Sequence, residues 1–184
     1  MGAEPDAKRL ALMREVLPGL QRVGVLENST NPYHRAVRKE LEQACRSLGI
    51  QPIFVEVAAA EDFENAIAEM VRRKAQALFV AGDNLFIGNR IPLMSAALRN
   101  ALPTNVWGQE MLEAGGLLSY NQNVAELRHR GAAFIDRILR GAKPADLPIE
   151  QPTEFELGIN LKTAKALGIT IPQSLLLRAD NVIR

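Results

Sequence analysis

The amino-acid sequence predicts an α/β fold: an open, mostly parallel Rossmann-like sheet with helices on both faces. Short runs of branched aliphatic residues, such as RVGVL at 22–26 and ALFV at 77–80, alternate with longer stretches of helical period. Several of these runs lead into loops of Asn, Asp, Ser and Gly, residues that turn a chain. The chain has 184 residues, 47% of them hydrophobic and 23% charged, so it can bury a core as one large domain or two small ones.

The elements follow in order. A first helix is expected over Ala7–Val16, with Leu10, Met13 and Leu17 on one face and Pro18-Gly19 as its stop. Arg22–Leu26 reads as a buried strand, and ENSTNP after it as a polar loop. Pro32 suits the first turn of a helix and Asn31 its N-cap; that helix runs to Leu48, where Gly49 ends it. Pro52–Val57 is a strand. Glu61–Arg73 is a helix with Phe63, Ile67 and Met70 or Val71 inward. Ala77–Val80 is a third strand, which exits through AGDNLFIGN. Ile91–Leu102 is helical, Asn105–Trp107 a short strand, EAGG a turn, and Leu117–Tyr120 a fifth strand. In NQNVAELRHRGAAFIDRILRGAKP, the residues Leu127, Gly131, Phe134, Ile135, Ile138 and Leu139 form one broad apolar stripe. ADLPIEQP is an extended linker, Phe155–Ile159 a strand, and Leu161–Leu167 a short helix capped by Gly168.

Several function classes fall away. Net charge is +1, from 22 basic and 21 acidic residues, so no nucleic acid partner is expected. The densest basic cluster, Arg72, Arg73 and Lys74, reads as a solvated helix end. Cys45 is alone on a helix and reads as a buried structural thiol. His34 and His129 read as surface histidines, too far apart to suggest a metal site. Glu61 and Asp62 suit a first helical turn, opposing its dipole. There is no P-loop, no GxGxxG and no GxSxG elbow, so no cofactor and no catalytic residue is expected. The opening, MGAEPDAKRLALMREVLPGL, lacks the basic-then-apolar pattern of an export signal. No apolar run approaches the roughly 20 residues that span a bilayer. Taken alone, the chain is expected to be soluble and unexported.

The remaining candidates are set by topology. Ligands of open parallel sheets bind beyond the carboxyl ends of the strands. Those exits carry Glu27 to Asn31, then Gly82, Asp83 and Asn84, then Trp107 and Gly108, then Tyr120 and Asn121. Asn and Asp offer donors and acceptors without reactivity, and the N–H groups opening a helix at Asn31–Tyr33 can hold a carboxylate. The same residues are also ordinary turn formers.

KRLALMREVLPGLQRVGVLENSTNP resembles the opening of the second lobe of ABC-transporter substrate-binding proteins, a family that includes binding proteins for aromatic amino acids. EAGGLLSYNQNVAELRHRGAAFIDRILRGAKPADLPIEQPTEFELGINLKTAKALGITIPQSLLLRADNVI resembles its C-terminal half nearly end to end. The resemblance implies one lobe of a type I periplasmic-binding fold, in which two lobes close on a ligand by hinge motion. It implies a small-molecule ligand such as an amino acid, an ABC permease as partner, and a periplasmic or extracytoplasmic place of work. By carry-over, the ligand-facing residues are Asn28 and Asn31, Asp83 and Asn84, and Tyr120. Glu27 and Asn121 depart from the family pattern, where an uncharged or aromatic residue and a Gly are common.

The implied organisation is a second-lobe domain over residues 1–120, an arm over 121–152 that in two-lobed relatives returns to the first lobe, and a strand–helix tail over 153–184. The apolar stripe of the arm then needs a partner, so a homodimer or larger oligomer is expected. The alternatives are an oligomeric sensing or assembly domain without a transport role, or a small α/β enzyme.

Overall fold

Alternating side chains on each strand give the sheet two apolar faces, and helices cover both. The structure is a computed structural model that describes residues 4–148 and 154–184. Its 7-stranded sheet runs in the order β2-β1-β3-β4-β5-β6-β7. The strands are β1 Arg22–Asn28, β2 Gln51–Val57, β3 Ala77–Val80, β4 Thr104–Val106, β5 Leu118–Gln122, β6 Phe155–Asn160 and β7 Asn181–Ile183. Neighbours are parallel except β5 and β6, which are antiparallel. The expected open, mostly parallel sheet with helices on both faces is therefore what the chain forms.

Helices α1 (Glu4–Val16) and α2 (Pro32–Ser47) cover one face. Leu10, Met13, Leu41 and Cys45 pack there on Val23 and Val25 of β1 and on Ala77 and Phe79 of β3. Helices α3 (Phe63–Arg72) and α5 (Arg90–Arg99) cover the other face, where Ile67, Met70, Leu93 and Ala97 meet Leu26, Leu78 and Val80. Gly24 permits that approach: a Cβ there would lie 2.5 Å from Met70 Sδ. The expected inner face of α3 holds for Phe63, Ile67 and Met70, while Val71 is exposed. Cys45 is fully buried and its thiol is pushed up to about 12, chiefly by burial, so it is an inert packing group as expected.

Short elements account for the main differences from expectation. A helix was expected from Glu61, but α3 starts at Phe63. Asp62 is the reason: its carboxylate accepts the N–H groups of Ala58 and Ala59 at 3.0 and 3.1 Å and closes a 3₁₀ turn over Ala60–Asp62. The polar loop after β3 contains α4 (Asn84–Gly88), and α6 (Gln109–Glu113) precedes EAGG. Beyond α7 (Val124–Leu139) and α8 (Leu161–Ala166), the tail adds α9 (Gln173–Leu176) and then β7. Part of the expected linker, 149–152, lies outside the described residues.

One charged cluster beside the sheet edge is anchored on a buried carboxylate. Glu27 is only 3% exposed and stands opposite Glu56 in the β1–β2 register. Arg38 of α2 lies over the Phe54 ring and pairs with both, at 3.3 Å to Glu27 and 3.0 Å to Glu56. Burial raises the Glu27 carboxyl from the ordinary 4.5 to about 7, and the pull of Arg38 only partly offsets it. The folded state thus holds a proton that the unfolded chain has released. Stability falls as pH rises through the window from 4.5 to about 7. Glu27→Gln removes this loss. The stability of the variant relative to the parent should grow by roughly 1–3 kcal/mol between about pH 5 and about pH 8, read by urea melts at each pH. A difference that stays flat across that range would contradict it.

Candidate ligand-binding site

The site forms where β1 and β3 part, because the chain leaves β1 for β2 on one side and returns to β3 on the other. Such a switch point leaves a crevice at the carboxyl edge of the sheet. Here it is a cleft of about 540 Å³, lined by Asn28, Asn31, Asp83, Asn84 and Tyr120 together with Arg9, Gly82, Trp107, Asn121, Gln122 and Phe155. All the expected site residues therefore line a single concavity.

Asp83 is the hub. It caps α4, with Oδ1 accepting the Leu85 N–H at 2.8 Å. The same oxygen accepts from Asn28 Nδ2 at 3.0 Å, and Oδ2 accepts from Asn31 Nδ2 at 2.7 Å. Each asparagine spends its other amide atom locally. Asn28 Oδ1 accepts from Thr30 N and Oγ1, and Asn31 Oδ1 caps α2 by accepting the Tyr33 N–H at 3.0 Å. The local turn roles and the shared placement on Asp83 are thus both real. The Asp83 side chain is 7% exposed. Burial alone would raise its pKa, but the hydrogen bonds from Asn31, Leu85 and Asn28, with His34 nearby, hold it below the ordinary 3.8. Asp83 is a fixed anion at neutral pH.

His34 corrects the expectation of a surface histidine: it is 2% exposed. Its Nδ1 accepts the Asn28 backbone N–H at 2.8 Å, its Nε2 lies 3.3 Å from Gly82 O and 3.8 Å from Asp83 Oδ2, and its ring stacks on Phe86. The sequence signal was the stripe of α2, since His34, Leu41 and Cys45 share one buried face. His129, by contrast, is exposed as expected.

Arg9 was also unforeseen. It reaches under the cleft from α1 and is 1% exposed. Its Nε donates to Asn105 Oδ1 at 2.9 Å, its Nη2 to Val80 O at 2.7 Å and Asn105 O at 3.3 Å, and its Nη1 to Asp6 at 3.0 Å. Its signal was equally a stripe: Arg9 shares a helical face with Leu12, Met13 and Val16.

Aromatic surface completes the walls. Gly82 lets the chain pass close to Trp107, whose ring atoms would sit 3.3 Å from a Cβ at that position. Tyr120 stacks on Phe155 across the β5–β6 pair, with centroids 5.3 Å apart. Asn84 is exposed at the start of α4. The Oδ1 of Asn121 is buried without a hydrogen-bond partner. An anion beside flat apolar faces suits a ligand carrying a cationic group and a hydrophobic one. No cluster of His, Cys, Asp and Glu suited to a metal occurs among the described residues.

The chain is 22% identical over 175 residues to a tyrosine-binding protein of Clostridioides difficile, covering 95% of this chain and 49% of that protein. The ABC domain from Streptococcus pneumoniae, solved in complex with L-Trp, superposes with a TM-score of 0.88 at 27% identity, covering 97% of this chain and 60% of that one. A conserved domain protein from Vibrio cholerae has the same fold, with a TM-score of 0.88, 22% identity and the same coverage of 97% and 60%. The chain thus spans about half the length of the curated relative and 60% of these solved ones. The family model for ABC transporter substrate binding proteins matches residues 2–183, and the chain belongs to that family.

Proposed function

We propose that this chain is the ligand-holding lobe of a solute-binding component of an ABC importer, and that its cleft takes an α-amino acid with an aromatic or other large apolar side chain. The observation that carries the reading is the Asp83 carboxylate, held ionised and oriented inside a cleft walled by Trp107, Tyr120 and Phe155. Among the described residues its Oδ2 accepts only from Asn31 at hydrogen-bond distance, which leaves a lone pair for a ligand ammonium. Asn28, Asn31 and Asp83 form the polar end of the site, Asn84 its rim and Tyr120 its apolar wall. The relatives that bind tyrosine and L-Trp support the same ligand class. The role is binding without turnover, in partnership with an ABC permease and at an extracytoplasmic location. No helix among the described residues is long and apolar enough to cross a membrane.

Residues 1–120 serve in this reading as the lobe, and 121–152 as an arm that docks elsewhere. The arm helix α7 exposes Ile135, Ile138 and Leu139, at 60%, 39% and 82%. That apolar face favours a second element of the proposal, self-association of the chain when it is alone in solution.

Amide spectra of the chain titrated with each standard amino acid test the first element. Aromatic amino acids should move the resonances of Asn28, Asp83 and Trp107, with a dissociation constant on the order of millimolar for a single lobe. Release of a modified product, or no shift with any amino acid, would sink the reading. Asp83→Asn should weaken the aromatic ligand about tenfold or more. Because the new Nδ2 would face the Asn28 or Asn31 amide donor to donor, the same change should cost roughly 1 kcal/mol of stability in urea melts. Light scattering at micromolar concentration tests the second element. A dimer or larger species that Leu139→Glu converts to monomer is expected, and a compact monomer in the parent chain would refute it.

A further inference from the structure

His34 stands between two strand exits and touches both. Its Nδ1 accepts the backbone N–H of Asn28, the last residue of β1, at 2.8 Å. A backbone N–H can only donate, so Nδ1 is unprotonated and the neutral ring carries its hydrogen on Nε2. That N–H points at the Gly82 carbonyl, 3.3 Å away, one residue before Asp83. The ring is 2% exposed and lies nearly parallel to Phe86, at 8° and 6.4 Å between centroids. One buried imidazole thus bridges Asn28, which gives Asp83 an amide, and Gly82, the residue before Asp83.

The arrangement tolerates only one protonation state. A proton on Nδ1 would face the Asn28 N–H, donor against donor, and the contact would open. Asn28 and Asn31 sit on the same turn, so both amides on Asp83 would shift with it. The imidazolium would also gain attraction to Asp83 Oδ2, 3.8 Å from Nε2. There it would compete with a ligand cation. Both effects lower affinity for a cationic ligand in acid.

We infer that His34 is a positioning residue of the cleft, one that fixes the geometry of Asn28 and Asp83 through its Nε2–H tautomer and releases cationic ligand when it takes up a second proton. This rests on the ligand class proposed above. The groups facing the ring are Asp83, from the β3–α4 turn, and Tyr33, whose ring lies 6.4 Å away on α2 itself. Glu27 precedes Asn28 on β1 but pairs with Arg38. It is a separate titrating group and needs its own control.

The experiment has a ligand-free arm and a ligand arm, both on the full chain. Long-range ¹H–¹⁵N spectra of the histidine rings should show the Nε2–H tautomer for His34 at neutral pH. The Asn28 backbone amide and the Asn31 side-chain amide should then move with the His34 titration. A ring that is Nδ1–H, or that titrates while those amides stay still, overturns the inference. L-Tryptophan is the probe in the second arm. Its affinity should fall about tenfold between the neutral and the doubly protonated ring, the two states being those read for His34 in the first arm, a coupling of the usual size for linked sites. His34→Asn places an amide oxygen where Nδ1 stood, so it should keep binding at neutral pH and lose the pH dependence. His34→Ala should lose binding at both. Glu27→Gln should keep the parent's acid response. A pH dependence that survives in His34→Asn, or vanishes in Glu27→Gln, refutes the assignment. If the ring and amide signals couple as expected while L-tryptophan and the other amino acids fail to bind, the positioning role stands and the ligand class falls.

Discussion

A parallel sheet ends in backbone carbonyls that no neighbouring strand satisfies, and a cleft built at that edge inherits the problem. In this lobe the answer is a buried guanidinium. Arg9 donates to Val80 O at the end of β3 and to Asn105 O in β4, and the Asn105 side chain closes the ring by donating to the Arg9 carbonyl at 2.9 Å. The cation also lies 4.0 Å from the centre of the Phe79 ring. Removing one member of such a buried arrangement typically costs about 3–5 kcal/mol, because the remaining groups are left without water or partner. Helix α1 is therefore held to the sheet by more than its apolar stripe.

On that floor, the polar end of the cleft is a small closed network. Asp83 receives amides from Asn28 and Asn31, and His34 braces the same turns from behind. Asp83 and Asn31 each also cap a helix, and Asn28 also closes a turn. The site is consequently organised before any ligand arrives, and little binding energy is lost to ordering it. The aromatic side works differently. Trp107, Tyr120 and Phe155 are half-buried and meet across strand exits rather than within one turn, so the apolar wall is an assembly of distant chain segments.

What could be read from the sequence follows this division. Strand exits announce themselves, because an aliphatic run that stops at Asn, Asp or Gly has few structural alternatives. Asn28, Asn31, Asp83 and Asn84 were accessible for that reason, and Tyr120 because it ends an apolar strand. The long helices α2 and α3 were visible in their periodicity. Helices such as α4, α6 and α9 were not, since one turn carries no period to detect. Arg9, His34 and Glu27 were misjudged or unforeseen for one common cause. Charged and titratable types suggest solvent, and only their position within an apolar stripe or strand argues otherwise. In each case the neighbours held the information: Leu12 and Val16 for Arg9, Leu41 and Cys45 for His34, Val23 and Val25 for Glu27. Weighing a polar residue by the company on its helical or strand face would have found all of them.

The antiparallel pair β5–β6 lies one strand in from the sheet edge, which is β7. Gln122 stands opposite Phe155, and the Asn123 N–H donates to Glu154 O at 3.1 Å. The arm therefore leaves and rejoins the sheet at neighbouring points, as an excursion from the mouth of a hairpin. Loop-closure entropy grows only with the logarithm of length, so doubling such an excursion costs about 0.6 kcal/mol. The sheet is nearly indifferent to what hangs there. Chain lengthened or shortened beyond this mouth therefore costs the sheet little, so long as Gln122 and Phe155 keep their pairing.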